Sequence, residues 1–355
     1  MPRSAVHERF KLRAMPGKSK FEHQIAALDA LREQPPEATI EPLRKALTNR
    51  NNFVVAKAAD LIRGLNLTQL TPELLTAFDR FFENAVKTDP QCWAKNAISR
   101  TLAVFEYQEA AVFLRGMKHI QLEPAWGGSS DSAGTLRATC ALALVQCRSL
   151  VDADLLAHLV DLLGDEEKVV RVEVIRAIEQ VGSPSAALLL RLRTVLGSSP
   201  NTDEAEVLGA CYGGILRIEG TSAIPWVKNF LASADDSAAE AALAIAGTRS
   251  AQAFTILRDE VLRDAVLRDR FSRESDPWFG SVLLSAIALT RQDAALEFLL
   301  DQVRADSPRS EAAIEAILRA APPAEIIKQL EDLVAVNPRL ARAFANAKPR
   351  EGNPS

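Results

Sequence analysis

The sequence predicts an all-α fold, a right-handed α-solenoid of about eight stacked helix pairs. Three observations lead there. Apolar residues make up 48% of the chain and aromatics only 6%, with two tyrosines in all, whereas a β-sandwich or barrel leans on aromatic and β-branched residues. A segment of small and aliphatic residues recurs at intervals averaging about 37 residues, the spacing of helix-pair repeats. The stretches between these segments place apolar residues at helical spacing. At 355 residues the chain exceeds one ordinary core, which fits an elongated array.

The elements follow in order. KFEHQIAALDALREQ (20–34) reads as an N-terminal capping helix, and TIEPLRKALTN (39–49) pairs with FVVAKAADLIRGL (53–65). WAKNAISRTLAVF (93–105) precedes FEYQEAAVFLRGMKHIQ, expected to end near Gln121, and TLRATCALALVQC (135–147) follows, its helix starting around Ser132. Four further pairs join 152–165 to 169–182, 183–197 to 205–220, 222–233 to 237–247 and 251–266 to 278–290. DAALEFLLDQV (293–303) pairs with RSEAAIEAILRAA (309–321), and 323–347 closes the array. Gly182 reads as a helix stop, Ser183 as the next N-cap and Pro184 as its first helical residue. Gly209 and Gly213, four apart in one helix, read as close packing. The expected organisation is a basic arm over 1–20, one solenoid over 21–347 and a disordered tail over 348–355.

These repeats resemble those of HEAT-repeat proteins, in the degenerate form related to the phycobilin lyases. GDEEKVVRVEVIRAIEQVGSPSAALLLRLRTVLG (164–197) matches best, and the resemblance covers about residues 36–335. Residues 90–145 also look like a group of bacterial HEAT-repeat proteins. The resemblance implies a solenoid fold. It also implies two alternatives to partner binding: a chromophore lyase or other small-ligand handler, and a nucleic-acid binder like the HEAT-like glycosylases.

Charge weighs against the second alternative. A net charge of −4 and a pI near 5.8 are poor grounds for phosphate contacts, which need clustered Lys and Arg. Arg3, Arg9, Lys11, Arg13, Lys18 and Lys20 face one acid, Glu8, in the first twenty residues, a pattern read here as a solvated arm. LRD recurs at 257, 262 and 267, so Arg258, Arg263, Arg268 and Arg270 lie among near-equal acids, as on a helix face laced with ion pairs. Cys92, Cys140, Cys147 and Cys211 form no CxxC pair and read as small buried hydrophobes, suited to a reducing cytoplasm. His7, His23, His119 and His158 are scattered without metal-ligand spacing. No P-loop, dinucleotide fingerprint, HExxH or GxSxG motif occurs. No membrane span and no secretory leader are expected. Neither a catalytic residue nor a cofactor or metal site is expected, and the location expected is the cytoplasm.

The exception to the helical pattern is EPAWGGSSDSAG (123–134). A loop this long is unusual between paired helices, and insertions in repeat arrays project from one face, often the binding face. Around it stand Arg115, Lys118, His119, Glu123, Asp131 and Arg137. As a plain connector, Trp126 caps a hydrophobic layer, Gly127 and Gly128 permit the turn and Ser132 N-caps the next helix. As a binding element, Trp126 with these charged groups grips a peptide or small polar ligand. Lys57 and Lys95 hold comparable positions in successive second helices, so stacking would set them on one face, joined by Arg137 from the third, either as a ladder for an acidic segment or as the ordinary polar rim of the groove. The expected role is non-catalytic binding of a protein or peptide along the concave groove, through Lys57, Lys95, Arg115, His119, Glu123, Trp126, Asp131 and Arg137.

Overall fold

The computed structural model describes residues 16–198, 204–271 and 277–348, with side chains described over 21–198, 204–263 and 278–348. Residues 1–15 of the expected arm and 349–355 of the expected tail lie outside the described residues. The chain divides into two compact units, Met1–Val151 and Asp152–Ser355. Both are mostly helical, and one short hairpin is the only strand pair among the described residues.

Unit 1 begins with α1 (Pro16–Asp29), which takes up the last five residues of the expected arm. There follow α2 (Pro36–Leu47), α3 (Asn52–Gly64), α4 (Thr71–Arg80), the single turn α5 (Ala85–Thr88), α6 (Trp93–Val104) and α7 (Ala110–Met117). Then come β1 (Leu122–Ala125), β2 (Gly128–Asp131) and α8 (Gly134–Leu144). Helices α3, α6 and α8 lie one against the next, and α2, α4 and α7 pack beside them in turn. Small residues make the approach possible: Ala58 and Ala59 of α3, Ala94 and Ala97 of α6, and Ala138 and Ala141 of α8 are buried between aliphatic neighbours such as Ile62, Ile98 and Leu136. Thr101 Oγ1 donates to Ala59 O across this seam at 3.0 Å. Helix α4 is not among the segments singled out from the sequence, and α7 ends at Met117 rather than near Gln121.

Unit 2 contains α9 (Asp152–Leu159), α10 (Lys168–Val181), α11 (Pro184–Gly197), α12 (Ala205–Glu219), the single turn α13 (Ile224–Val227) and α14 (Asp236–Gly247). It continues with α15 (Ala251–Phe271), α16 (Pro277–Leu289), α17 (Asp293–Arg304), α18 (Ser310–Arg319), α19 (Ala324–Ala335) and α20 (Pro338–Ala347). The even-numbered helices from α10 to α20 contact one another in succession, and α14 packs beside α13 and, more extensively, the 3-10 turns at Lys228–Ser233. Helices α9, α11, α15, α17 and α19 each pack beside the even-numbered helix that follows.

Local chemistry sets the boundaries. Gly182 adopts φ +70° and stops α10, a conformation that costs a side chain. Ser183 Oγ accepts from Ala186 N at 3.3 Å ahead of Pro184. The expected helix over 222–233 is one α turn, with Pro225 in its first turn, between the 3-10 segments Gly220–Ala223 and Lys228–Ser233. The expected run over 323–347 is two helices. Asn337 caps the second by accepting from Arg339 N, and Pro338 lacks the N–H to continue the first. Of the two α12 glycines expected to pack closely, Gly209 faces Glu240 of α14, whereas a methyl at Gly213 would meet only Arg217. Gly214 is the other tight position, against Leu190 of α11. On α15, Arg258 pairs with Asp259 and Arg263 with Glu260. The side chains of Arg268 and Arg270 lie outside the described residues.

All four cysteines are buried. No helix among the described residues is long and apolar enough to cross a membrane.

Candidate functional site: a pinned β-hairpin

The segment Leu122–Asp131 is a β-hairpin, not an irregular loop. Its strands pair antiparallel with Leu122 opposite Asp131 and Ala125 opposite Gly128. Trp126 and Gly127 form the two-residue turn, with Gly127 at φ +90°, as the second central position of a type II turn requires. The Trp126 side chain stands fully in solvent, at 105% relative exposure. Beside β1, the exposed side chains of Val86, Ile120 and Leu122 border a cavity of about 310 Å³.

A buried polar network roots this hairpin. Asp89, fully buried, accepts from Ala94 N at 2.9 Å and Lys95 N at 3.1 Å, capping the first turn of α6. The chain reaches this position through two consecutive left-handed residues, Gln91 at φ 59° and Cys92 at φ 53°. Lys95 is also 0% exposed. Its ammonium lies 3.0 Å from Asp89 Oδ2 and donates to Phe81 O and Gln121 Oε1, both at 3.1 Å. Three acceptors use the three protons of an ammonium, and the Phe82 ring lies 5.5 Å away.

Gln121 ties this pair to the hairpin. Its Nε2 donates to Asp89 O at 2.9 Å and to Glu123 Oε1 at 2.6 Å, and its Oε1 lies 3.0 Å from His119 Nε2. Glu123 Oε1 also accepts from Gln91 N at 2.6 Å and Ser132 Oγ at 2.7 Å. At the foot of β2, Asp131 Oδ1 accepts from Gln121 N and Ala133 N, both at 2.9 Å, while Oδ2 meets Arg137 Nη1 at 2.5 Å. Arg137 donates further to His119 O at 3.0 Å. The His119 ring stands edge-on to Phe82, and Arg115 stacks over the same ring at 4.0 Å while pairing with Asp79.

These partners set the titration of the root. Burial pushes the Glu123 carboxyl up, but the hydrogen bonds from Ser132, Gln121 and Gln91 outweigh it and leave the group below its ordinary value. Asp131 behaves alike: burial raises it, and Gln121 N, Ala133 N and Arg137 bring it below the usual range. Burial lowers His119, with the Gln121 contact offsetting part of the effect. Burial raises the Cys92 thiol to about 11, which keeps it protonated at neutral pH and therefore a poor nucleophile.

The expected ladder is corrected by these contacts. Lys95 and Arg137 are not on an exposed face: Asp89 and Asp131 draw both inward, and Arg137 is 4% exposed. Lys57 stands apart from the network, 2.7 Å from Asp29. Arg115, His119, Glu123, Asp131 and Arg137 do converge, around the root rather than on a rim. Trp126 does not cap a hydrophobic layer, and Ser132 donates to Glu123 instead of capping α8. Sequence reasoning missed Asp89, Gln121 and Phe82. An aspartate just before a helix start is a cap signal, but nothing local marks Gln121 or Phe82.

In this root the lysine has every proton engaged and the thiol is held neutral. A scan against protein-family models finds no match for this chain, and a search of curated proteins finds none either.

Proposed function

We propose that the chain is a HEAT-like right-handed α-solenoid that binds a protein or peptide partner and catalyses no reaction, with the hairpin as its principal contact element. Support for the solenoid comes from the paired and successively stacked helices within each unit. The single observation that carries the function is the fully exposed Trp126 at the tip of a hairpin whose root is locked by buried ion pairs. Leaving an indole in water gains nothing for folding, whereas tryptophan is among the residues that dominate binding energy when a partner covers it. A rigid root reduces the ordering cost of such binding. Arg115 and the apolar border of Val86, Ile120 and Leu122 extend the contact region, while Lys95, Asp131 and Arg137 serve as its foundation.

Affinity capture from a cell lysate with the tagged chain, beside Trp126→Ala, tests the reading by mass spectrometry. A partner retained by the native chain and lost with Trp126→Ala is expected. The same proteins captured by both would overturn the assignment of the hairpin.

A further inference from the structure

The two edges of the hairpin differ, and the difference points to how a partner is held. Ser132 N donates to Gln121 O at 3.0 Å, so that pair is hydrogen-bonded. In an antiparallel ladder bonded and non-bonded pairs alternate, which makes Glu123–Ser130 and Ala125–Gly128 bonded and Leu122–Asp131 and Pro124–Ser129 non-bonded. The backbone groups of the non-bonded residues face outward. On β1 that edge is blunted at Pro124, which has no N–H to offer, a common protection of edge strands. On β2 the outward residues are Ser129 and Asp131, in a Gly-Ser-Ser-Asp strand with neither proline nor lysine, and Gly128, Ser129 and Ser130 are exposed. An open edge of small residues beside a blunted one is a template for one added strand.

We propose that β2 receives an extended peptide segment as a third strand, recognised through its main chain, with a bulky apolar side chain of that peptide packing on Trp126. This rests on the reading of the hairpin as the contact element and adds the conformation of what it binds. Main-chain bonds to the outward groups of Ser129 and Asp131 supply sequence-tolerant affinity, and Trp126 supplies the side-chain preference. The area selects a peptide over a second copy of this chain. Trp126 offers ~150–250 Å², and a four-residue edge leaves the total well short of the ~800 Å² per partner that a standard stable interface buries. The pinned root favours the addition as well, since an edge already held in place needs little ordering when a peptide pairs with it.

Short random linear peptides displayed on phage are selected on the full chain and counter-selected on a Trp126→Ala, Ser129→Pro variant. A selected peptide is then bound to the native chain and followed by amide hydrogen exchange. Protection of the Ser129 and Asp131 amides is expected, with affinity lost about tenfold in Ser129→Pro and kept in Ser129→Thr, which retains the N–H. Peptides that need Trp126 but leave these amides unprotected and ignore Ser129→Pro would overturn strand addition while leaving the hairpin as a contact element. Failure to enrich any peptide over the double variant would overturn strand addition as well, and the capture experiment then judges the hairpin separately. Protection that appears without peptide and grows with protein concentration would replace the peptide by a second copy.

Discussion

Asp89 and Lys95 meet 3.0 Å apart in the interior of unit 1, both with fully buried side chains, and the Trp126 hairpin is tethered to them through Gln121. The pair joins the start of α6 to the root of the hairpin. A buried pair is costly to assemble, yet costlier to break on one side, because the survivor keeps its charge without its partner.

Lys95→Met should therefore destabilise unit 1 by ~3–5 kcal/mol, and the double change with Asp89→Asn should cost less than the sum of the two singles. Urea denaturation of the four proteins measures the coupling. Additive losses would show that the two groups do not depend on each other.

Acid should loosen the hairpin root in two stages. His119 has a lowered pKa in the folded protein, so the unfolded chain takes up protons first, and stability falls as the pH drops below ~6.5. Glu123 and Asp131 are held below their ordinary values. Their contribution is present above ~4 and is lost as the pH falls further through their folded values. Melting temperature followed from pH 8 downward reads both stages. His119→Gln should remove the upper one and leave the lower, and an unchanged upper stage would assign it to another group.

Gly116 of α7 lies against Cys140 of α8, and a methyl there would collide with the Cys140 sulfur. Gly116→Ala should cost ~1–3 kcal/mol by overpacking. Adding Cys140→Ala, which removes the colliding atom, should recover part of that loss. Thermal unfolding of single and double variants decides it, and an equally damaged double variant would place the strain in the backbone instead.

Much of the helical pattern is legible in the sequence because its causes lie within a few residues. The stop and restart at Gly182, Ser183 and Pro184 needs only φ preference, a capping hydroxyl and a ring-locked N-terminal residue. Failures arise where a local pattern carries two meanings. The 323–347 run is apolar at helical spacing throughout, yet Asn337 and Pro338 divide it. The hairpin was harder to foresee, since Glu-Pro-Ala and Gly-Ser-Ser are poor strand formers. A glycine-bearing two-residue turn between stretches of equal length was its available signal.

By itself, then, the sequence determined the mostly helical class, many of the helix boundaries and the burial of the four cysteines, all of which follow from periodicity, caps and apolar neighbours. Tertiary structure alone decided that Lys95 and Arg137 lie inside while Trp126 stands in water. Lys95 meets Gln121 from 26 residues away, and Gln121 meets Asp89 across 32. The carboxylates themselves stand close in the chain, Asp89 before Lys95 and Asp131 before Arg137. Whether such a pair is a surface rim or a buried anchor depends on the groups the fold closes over it, Phe81 and Gln121 for Lys95 and His119 for Arg137, and no short window of sequence contains those.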